Sequence, residues 1–288
     1  MIILDLSQVM ISNLMAQLGS HTNIAIEEGL IRHMVLNTIR SLNIKFKKEY
    51  GDLVIACDDR KYWRREIFPY YKANRKKARD ASDIDWNAVF EALNRIRDEI
   101  KDYLPYRVIR VDGAEADDVI GTICHEHGKV LCSASDEKIL ILSGDKDFIQ
   151  LQKYGNVEQY DPVRKKYIKN TDPEKYLYEH IIRGDGGDGI PNFLSSDNCF
   201  VVGERQKSVS SKKLEVWLKQ EPEEFCNDMM LRNYNRNKQL IDLTFIPSWV
   251  KDNVMNEYES QKNKSRQHIF NYFIKFKLKG LMESINDF

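Results

Sequence analysis

The chain has 288 residues, and 42% hydrophobic with 31% charged side chains is a soluble globular composition, not a disordered or membrane-embedded one. Lys plus Arg and Asp plus Glu number 44 each, so a net charge of zero points to neither an acidic nor a basic partner. The length allows one large core or two smaller ones. Cys57, Cys124, Cys132, Cys199 and Cys226 form no close pair and no metal-type spacing, as expected of a reduced, cytoplasmic protein. Asp5 interrupts the first apolar run, which predicts no signal peptide, and no stretch has the length of a transmembrane helix.

Met1-Ile2-Ile3-Leu4 predicts a short buried strand closed by Asp5. Residues 24 to 46 then predict an amphipathic helix, with Ile31, Val35, Ile39 and Leu42 on one face. Gly51 resets the chain, and Leu53 to Cys57 repeats the opening pattern, an apolar strand followed by a carboxylate, Asp58. Residues 60 to 79 change character. Nine of these twenty are Lys or Arg, against the single acid Glu66, and Tyr62, Trp63, Phe68, Tyr70 and Tyr71 are interleaved. Pro69 breaks any long helix. Cations among aromatics suit a surface that tracks a nucleic-acid backbone and stacks on bases. The blander reading is a solvated basic loop whose aromatics pack locally.

Residues 83 to 103 predict a helix burying Trp86, Phe90, Leu93, Ile96 and Ile100, and Tyr106 to Val111 a strand. After the Asp112-Gly113 turn, Glu115-Ala-Asp-Asp118 opens a helix through about His127. Its three acids serve the helix dipole in part. Residues two apart on a regular helix diverge, so Glu115 and Asp117 converge on one ligand only if Glu115 lies at or before the helix start. His125 and His127 suit a helix C-terminus better than ligation.

Lys138 to Leu142 predicts a strand buried on both faces, ended by Ser143-Gly144, with Phe148 to Leu151 beginning a helix. Asp145 and Asp147 therefore stand at the carboxyl end of a central strand, where open α/β sheets bind ligands, although either could simply cap the helix. Val157 to Tyr160 and Tyr167 to Lys169 predict a hairpin around Asp161-Pro162, and Pro173 to Ile182 a helix. The loop Gly184 to Pro191 adds Asp185 and Asp188, without the closing acid of a calcium loop. Leu214 to Leu218 and most of the chain from about 223 read as helices, with a basic and aromatic stretch at 271 to 277. The predicted fold class is α/β, a central mostly parallel sheet flanked by helices, with a helical C-terminal half. Residues 1–183 form the α/β domain, with a basic arch at about 60–82, and 184–288 the helical domain.

Acids recur at strand ends and helix starts: Asp5, Asp58, Glu115 and Asp117, Asp145 and Asp147, Asp185 and Asp188. Gathered at one sheet edge they would repel one another and desolvate at several kcal/mol each unless cations bind. Oxygen ligands without His or Cys select Mg²⁺ or Mn²⁺. Two such ions about 4 Å apart are a standard device for in-line attack on a phosphodiester.

Glu115-Ala-Asp-Asp118, Ser143-Gly-Asp-Lys-Asp147 and Gly184-Asp-Gly-Gly-Asp-Gly-Ile-Pro191 resemble the three acidic signatures of the 5′-nuclease (flap endonuclease) superfamily. Tyr71-Lys-Ala-Asn-Arg75 resembles its Tyr-Lys-x-Asn-Arg segment at the base of an arch that single strands thread, and Asn237 to Pro247 has the family's look. Tyr62-Trp-Arg-Arg65, Gly203-Glu-Arg205 and Ser284 to Phe288 are similar to bacteriophage members. The resemblance implies a metal-dependent 5′→3′ exonuclease and flap endonuclease acting on DNA and RNA–DNA duplexes with 5′ ends or flaps. Ribonuclease H-like removal of RNA primers in DNA replication would follow.

By matched position, the resemblance implies that Asp5, Asp58, Glu115, Asp117 and Asp145 surround one Mg²⁺, with Asp118 beside them. Asp147, Asp185 and Asp188 serve a second, and Mn²⁺ can substitute. Lys72 and Arg75 would steady the scissile phosphate, acting in catalysis with Asp117 and Asp145. Arg64, Arg65, Tyr71, Lys72, Arg75, Lys76, Lys77, Arg79, Lys212 and Lys213 would contact nucleic acid. The resemblance also implies a monomer in the cytoplasm (the host's, if phage-encoded), with a single-stranded-DNA-binding protein and a sliding clamp as partners and no membrane.

Two departures stand out. Asn192-Phe-Leu-Ser195 replaces the family's Gly-Val-x-Gly-Ile-Gly, so a divergent helix-hairpin-helix region is expected, without an assured monovalent ion. The sequence also opens directly at the first strand, without an extension that could reach a clamp. Two other readings stay open on the residues alone: a catalytically weak, structure-specific DNA-binding module, and a PIN-domain ribonuclease. The full set of acids favours the enzyme over the first. The long arch and helical C-terminal half argue against the second.

Overall fold

The computed structural model describes residues 1–18, 27–82, 84–131, 133 and 136–288. Four short apolar runs become strands: β1 (Ile2–Asp5), β2 (Leu53–Ala56), β3 (Arg107–Ile109) and β4 (Ile139–Leu142). β5 (Val157–Asp161) and β6 (Lys166–Ile168) complete one sheet in the order β3-β2-β1-β4-β5-β6. All neighbours pair parallel except β5 with β6, the predicted hairpin. The chain steps from β1 to β2 on one side and to β4 on the other, so the strand order reverses at β1. Such a switch point opens a crevice at the carboxyl ends of the two strands.

The helices that precede the acidic loop are α1 (Leu6–Leu18), α2 (Glu28–Tyr50), α3 (Arg64–Ile67), α4 (Ala73–Asp80), α5 (Trp86–Tyr103), α6 (Ala116–His127) and α7 (Pro173–Arg183). Beyond it follow α8 (Cys199–Val202), α9 (Ser211–Trp217), α10 (Pro222–Phe225), α11 (Asp228–Ile241), α12 (Ser248–Ser260), α13 (Ile269–Lys275) and α14 (Lys279–Met282). α1 departs from expectation. Leu6, Val9, Met10 and Leu14 are buried at helical spacing directly after β1, with no Gly or Pro to announce the change. α2 runs on to Tyr50, where Gly51 (φ 86°) ends it, and the expected residues 24–26 lie outside the described residues. α5 starts at Trp86, capped by Asp85, and the expected residue 83 is likewise outside. The helix expected after Asp147 is a 3₁₀ helix over Lys146–Lys153. Between α7 and α9 only the four-residue α8 is helical among the described residues.

Side chains alternate across the sheet, as a period of two requires. Ile2 and Leu4 face α2 and α5, together with Ile269, Tyr272, Phe273 and Phe288 from the far end of the chain. Met1 and Ile3 face α6, covered by Leu243, Ile246, Val250 and Val254. The last 45 or so residues thus close both faces of the sheet. A third cluster joins Phe68 and Tyr71 to Ile181, Ile190, Phe193, Trp217 and Tyr234. Cys57, Cys124, Cys199 and Cys226 are free thiols; Cys132 lies outside the described residues. Among the described residues, no helix is long and apolar enough to cross a membrane.

Candidate active site

β1 and β4 end side by side, and Ser143 ties their termini together. Its hydroxyl donates to Asp5 Oδ2 (3.1 Å) and accepts from the Asp145 amide (3.1 Å). Asp5 Oδ1 accepts from the Gln8 amide at the start of α1. Asp145 caps the 3₁₀ helix, taking the Asp147 amide at 3.0 Å. It is therefore a cap and a member of the acidic edge at once. Asp58, just past β2, accepts from the Ala116 amide (2.8 Å) and so docks the start of α6 onto the sheet. Glu115 is the N-cap of α6, with extended backbone (φ −97°, ψ 164°), and shares a capping box with Asp118. This position before the first helical turn is what lets Glu115 and Asp117 serve one site.

The acids divide into two groups by what balances them. Glu115 is buried and accepts from Arg64 (2.8 Å), Tyr71 (3.0 Å) and Lys72. Asp188 takes Arg75 and Tyr71 (2.9 Å), with Lys72 at 3.4 Å. Among the described residues, Asp5, Asp58, Asp117 and Asp145 form no ion pair. Burial pushes Asp5 up to about 7, with repulsion from Asp58 and Asp145 adding to it. Asp117 is raised well above the usual carboxylate range by burial and then by Asp145, Glu115 and Asp5. Asp145 is raised by burial, Asp188 and Asp185. Burial, Asp145, Asp188 and Asp185 carry Asp147 up to about 8. Carboxylates that pay for one another's charge in this way are stable as anions only beside a cation. Asp147 Oδ1 is buried without a hydrogen-bond partner among the described residues, an orphan acceptor that a metal ion satisfies. The donor set, hard oxygens at a sheet switch point, fits divalent ions.

These shifts fix a pH dependence for the metal-free protein. Asp5 and Asp147 hold protons in the folded state to about 7 and 8, whereas the unfolded chain loses them near 4. The stability they contribute is complete below pH 4 and drains away as pH rises from 4 to 8. With chelator present, the melting temperature should fall by several degrees between pH 5.5 and 8.5, at about 2 °C or more per kcal/mol. A divalent ion should erase that fall. A melting temperature that stayed flat or rose with pH in chelator would contradict the assignment.

The basic segment divides as well. Arg65 and Lys76 are exposed and Arg79 is half-buried; the Lys77 side chain is outside the described residues. Lys212 and Lys213 are exposed at the start of α9. Arg64 departs from the sequence reading. Its side chain is 3% exposed, bonded to Glu115, to Asp118 and to the Leu240 carbonyl (2.8 Å each), and cannot meet nucleic acid. Tyr71 is buried between Glu115 and Asp188, so it acts through those acids. Trp63 and Phe68 are core residues, Tyr62 is half-buried, and Tyr70 alone of the five aromatics is exposed. The base-stacking expected of this segment is therefore cut back to Tyr70 and the half-buried Tyr62.

Lys72 sits in left-handed backbone (φ 57°), a conformation costing about 1–3 kcal/mol in a residue with a side chain. That turn sends its amide to the Asp188 carbonyl (2.7 Å) and its amine to Glu115. Asn74 and Arg75 fasten α4 to the acidic loop through the Gly186 and Gly187 carbonyls. Gly189 (φ 71°) passes so close that a Cβ there would lie 3.1 Å from Asn74 Oδ1.

His180 is the site residue that sequence reasoning missed. The last turn of α7 places its Nδ1 3.4 Å from Asp147 and its Nε2 3.4 Å from Asp185. Burial opposes the change, but the adjacent His180 ring brings Asp185 down to about 2. The available signal was position, one helical turn before the acidic loop.

The chain is similar to known proteins along its length. Residues 1–180 match the family described as 5′-3′ exonuclease, N-terminal resolvase-like domain, and residues 171–288 match T4 RNase H, C terminal. The ribonuclease H of Enterobacteria phage T4 is 35% identical, over 99% of this chain and 95% of its own. A 5′-3′ exonuclease of Buchnera aphidicola is 27% identical over 83% of this chain and 85% of its own. Among solved structures, a bacteriophage T5 flap endonuclease with DNA and metal ions superposes at a TM-score of 0.59 with 18% identity, covering 91% of this chain and 99% of that one. At that identity the likeness speaks for the fold.

Proposed function

The chain belongs to the 5′-3′ exonuclease family and is a metal-dependent nuclease; we propose that it cleaves DNA and RNA–DNA duplexes at 5′ ends and flaps. The observation that carries this reading is the set of four carboxylates at the sheet edge, Asp5 buried and Asp58, Asp117 and Asp145 half-buried, which form no ion pair among the described residues and have Lys72 and Arg75 alongside. Asp5, Asp58, Asp117 and Asp145, with Glu115, hold one ion in this reading, and Asp147, Asp185 and Asp188 hold a second. The ions, Mg²⁺ with Mn²⁺ as a substitute, supply Lewis acidity that makes water a nucleophile near neutral pH.

The protein's own groups do the rest. The carboxylates fix where the ions sit, and Ser143 and Gln8 fix Asp5. Lys72 and Arg75 present positive charge to the phosphate as it gains charge in the transition state. Arg65, Lys76, Arg79, Lys212 and Lys213 guide the backbone of the duplex or flap. RNA primer removal would use these activities, by a monomer working beside a single-stranded-DNA-binding protein and a sliding clamp.

Cleavage of 5′-labelled flap, nicked and RNA–DNA substrates should stop in chelator and return with Mg²⁺ or Mn²⁺. Undiminished cleavage in chelator would end the two-metal reading. Lys72→Ala should lower single-turnover cleavage about 100-fold or more with little change in duplex affinity. Loss of affinity alone, at a normal cleavage rate, would make Lys72 a binding residue only.

A further inference from the structure

We infer that His180 is a ligand of the second divalent ion, making that position a mixed nitrogen–oxygen site that favours Mn²⁺ over Mg²⁺. The inference rests on the two-metal reading above and adds to it a residue outside the acidic motifs. One ligand atom from each of Asp147, His180 and Asp185 lies within 4.8 Å of the others. Small side-chain rotations bring such a set to about 2.0–2.2 Å from a common ion.

The surrounding contacts hold these three groups open towards one another. Asp185 Oδ1 is occupied by the Gly187 and Asp188 amides (2.7 and 3.2 Å), which leaves Oδ2 to face the imidazole. Asp147 offers the buried acceptor Oδ1, which has no hydrogen bond among the described residues. The ring of His180 packs edge-on against Tyr176 (5.8 Å between centroids), which fixes its plane. Both nitrogens are 3.4 Å from carboxylate oxygens, well beyond the 2.7–2.9 Å of charge-assisted bonds. The ring is not clamped as a bridging donor. With carboxylates on both sides, the ring either carries a second proton, the direction in which, against burial, Asp185, Asp147 and Asp145 push it, or turns a lone pair to a cation held between it and the acids.

Asp188, the other acid expected at this ion, is already taken by Arg75 and Tyr71. With Asp188 shared in this way, His180 adds a nitrogen donor to the acids of that reading. Imidazole nitrogen suits Mn²⁺ and Co²⁺, whereas Mg²⁺ holds to oxygen.

The test uses the full chain loaded with Mn²⁺ alone and read by pulsed electron paramagnetic resonance. Wild type should show imidazole ¹⁴N modulation, which should change to the ¹⁵N pattern when the histidines are ¹⁵N-labelled. His180→Gln should lose the modulation and bind Mn²⁺ about tenfold or more weakly by calorimetry, with Mg²⁺ affinity changed less than about threefold. Mn²⁺ bound without nitrogen modulation in wild type, or modulation persisting in H180Q, would overturn the inference and leave the two-metal reading intact. Failure to bind Mn²⁺ at all would overturn both. The labelled wild-type spectrum decides the matter even if the variant does not fold.

Discussion

Asp117→Asn should fold, melt at a higher temperature than the parent in chelator, and cleave a 5′ flap about a thousandfold or more slowly. The stability gain follows from what surrounds the carboxylate. Burial and the charges of Asp145, Glu115 and Asp5 disfavour its anion and together outweigh the attraction of Lys72, with which it forms no ion pair. A second opposing interaction, an acid in the first turn of α6 with the helix dipole, is about 0.3–1 kcal/mol. Repulsion and desolvation outweigh it, so an isosteric amide relieves the metal-free fold. In the proposed two-metal reading the same substitution removes a negative ligand from the position where water would be activated, hence the expected kinetic loss. Single-turnover rates and melts with and without Mg²⁺, on one preparation, measure both halves. A variant that is destabilised yet cleaves normally would reduce Asp117 to a helix-dipole residue.

The parts of this site that were legible in the sequence are those set by local pattern. β1, β2 and β4 are apolar on both faces, so their membership of a parallel sheet and the acids at their ends could be read directly. For Glu115 helix geometry gave only a condition, a place at or before the start of α6, and the structure meets it. What could not be read depends on distant chain. Arg64 and Arg65 are adjacent and chemically identical, yet one is buried beside Glu115, Asp118 and Leu240 while the other is exposed. Nothing within a window of local sequence distinguishes them. The aromatics of the arch misled for the same reason. Phe68 and Tyr71 pack on Ile181, Phe193 and Trp217, more than a hundred residues away. α1 was hidden because β1 passes into it without a turn. His180 was hidden because α7 reads as an ordinary amphipathic helix until its last turn meets the 3₁₀ helix that begins at Lys146.

Arg64→Leu is the substitution with the largest expected cost in stability, about 3–5 kcal/mol, because it leaves buried Asp118 without its cation and Glu115 with Lys72 alone. Glu115 and Asp118 are 1% and 0% exposed, and one guanidinium nitrogen lies 2.8 Å from each. The same group anchors the Leu240 carbonyl and lies over the Trp63 ring at 4.5 Å, so the arch, α6 and the end of α11 share one bolt. Lysine is no substitute, since an ammonium cannot address three acceptors in the plane of a fork. Arg64→Lys should therefore recover only part of the loss. Arg65→Ala, at the exposed neighbour, should leave stability within about 0.5 kcal/mol and lower the salt slope of duplex binding by about one. Denaturant unfolding of all three variants, with salt titrations of binding on the folded protein, separates the two roles. Wild-type stability in Arg64→Leu with a reduced salt slope would put Arg64 back on the nucleic acid. The expected opposite means that a cation of the arch holds the carboxylate cluster in shape, and the charge that meets the substrate comes from its neighbours.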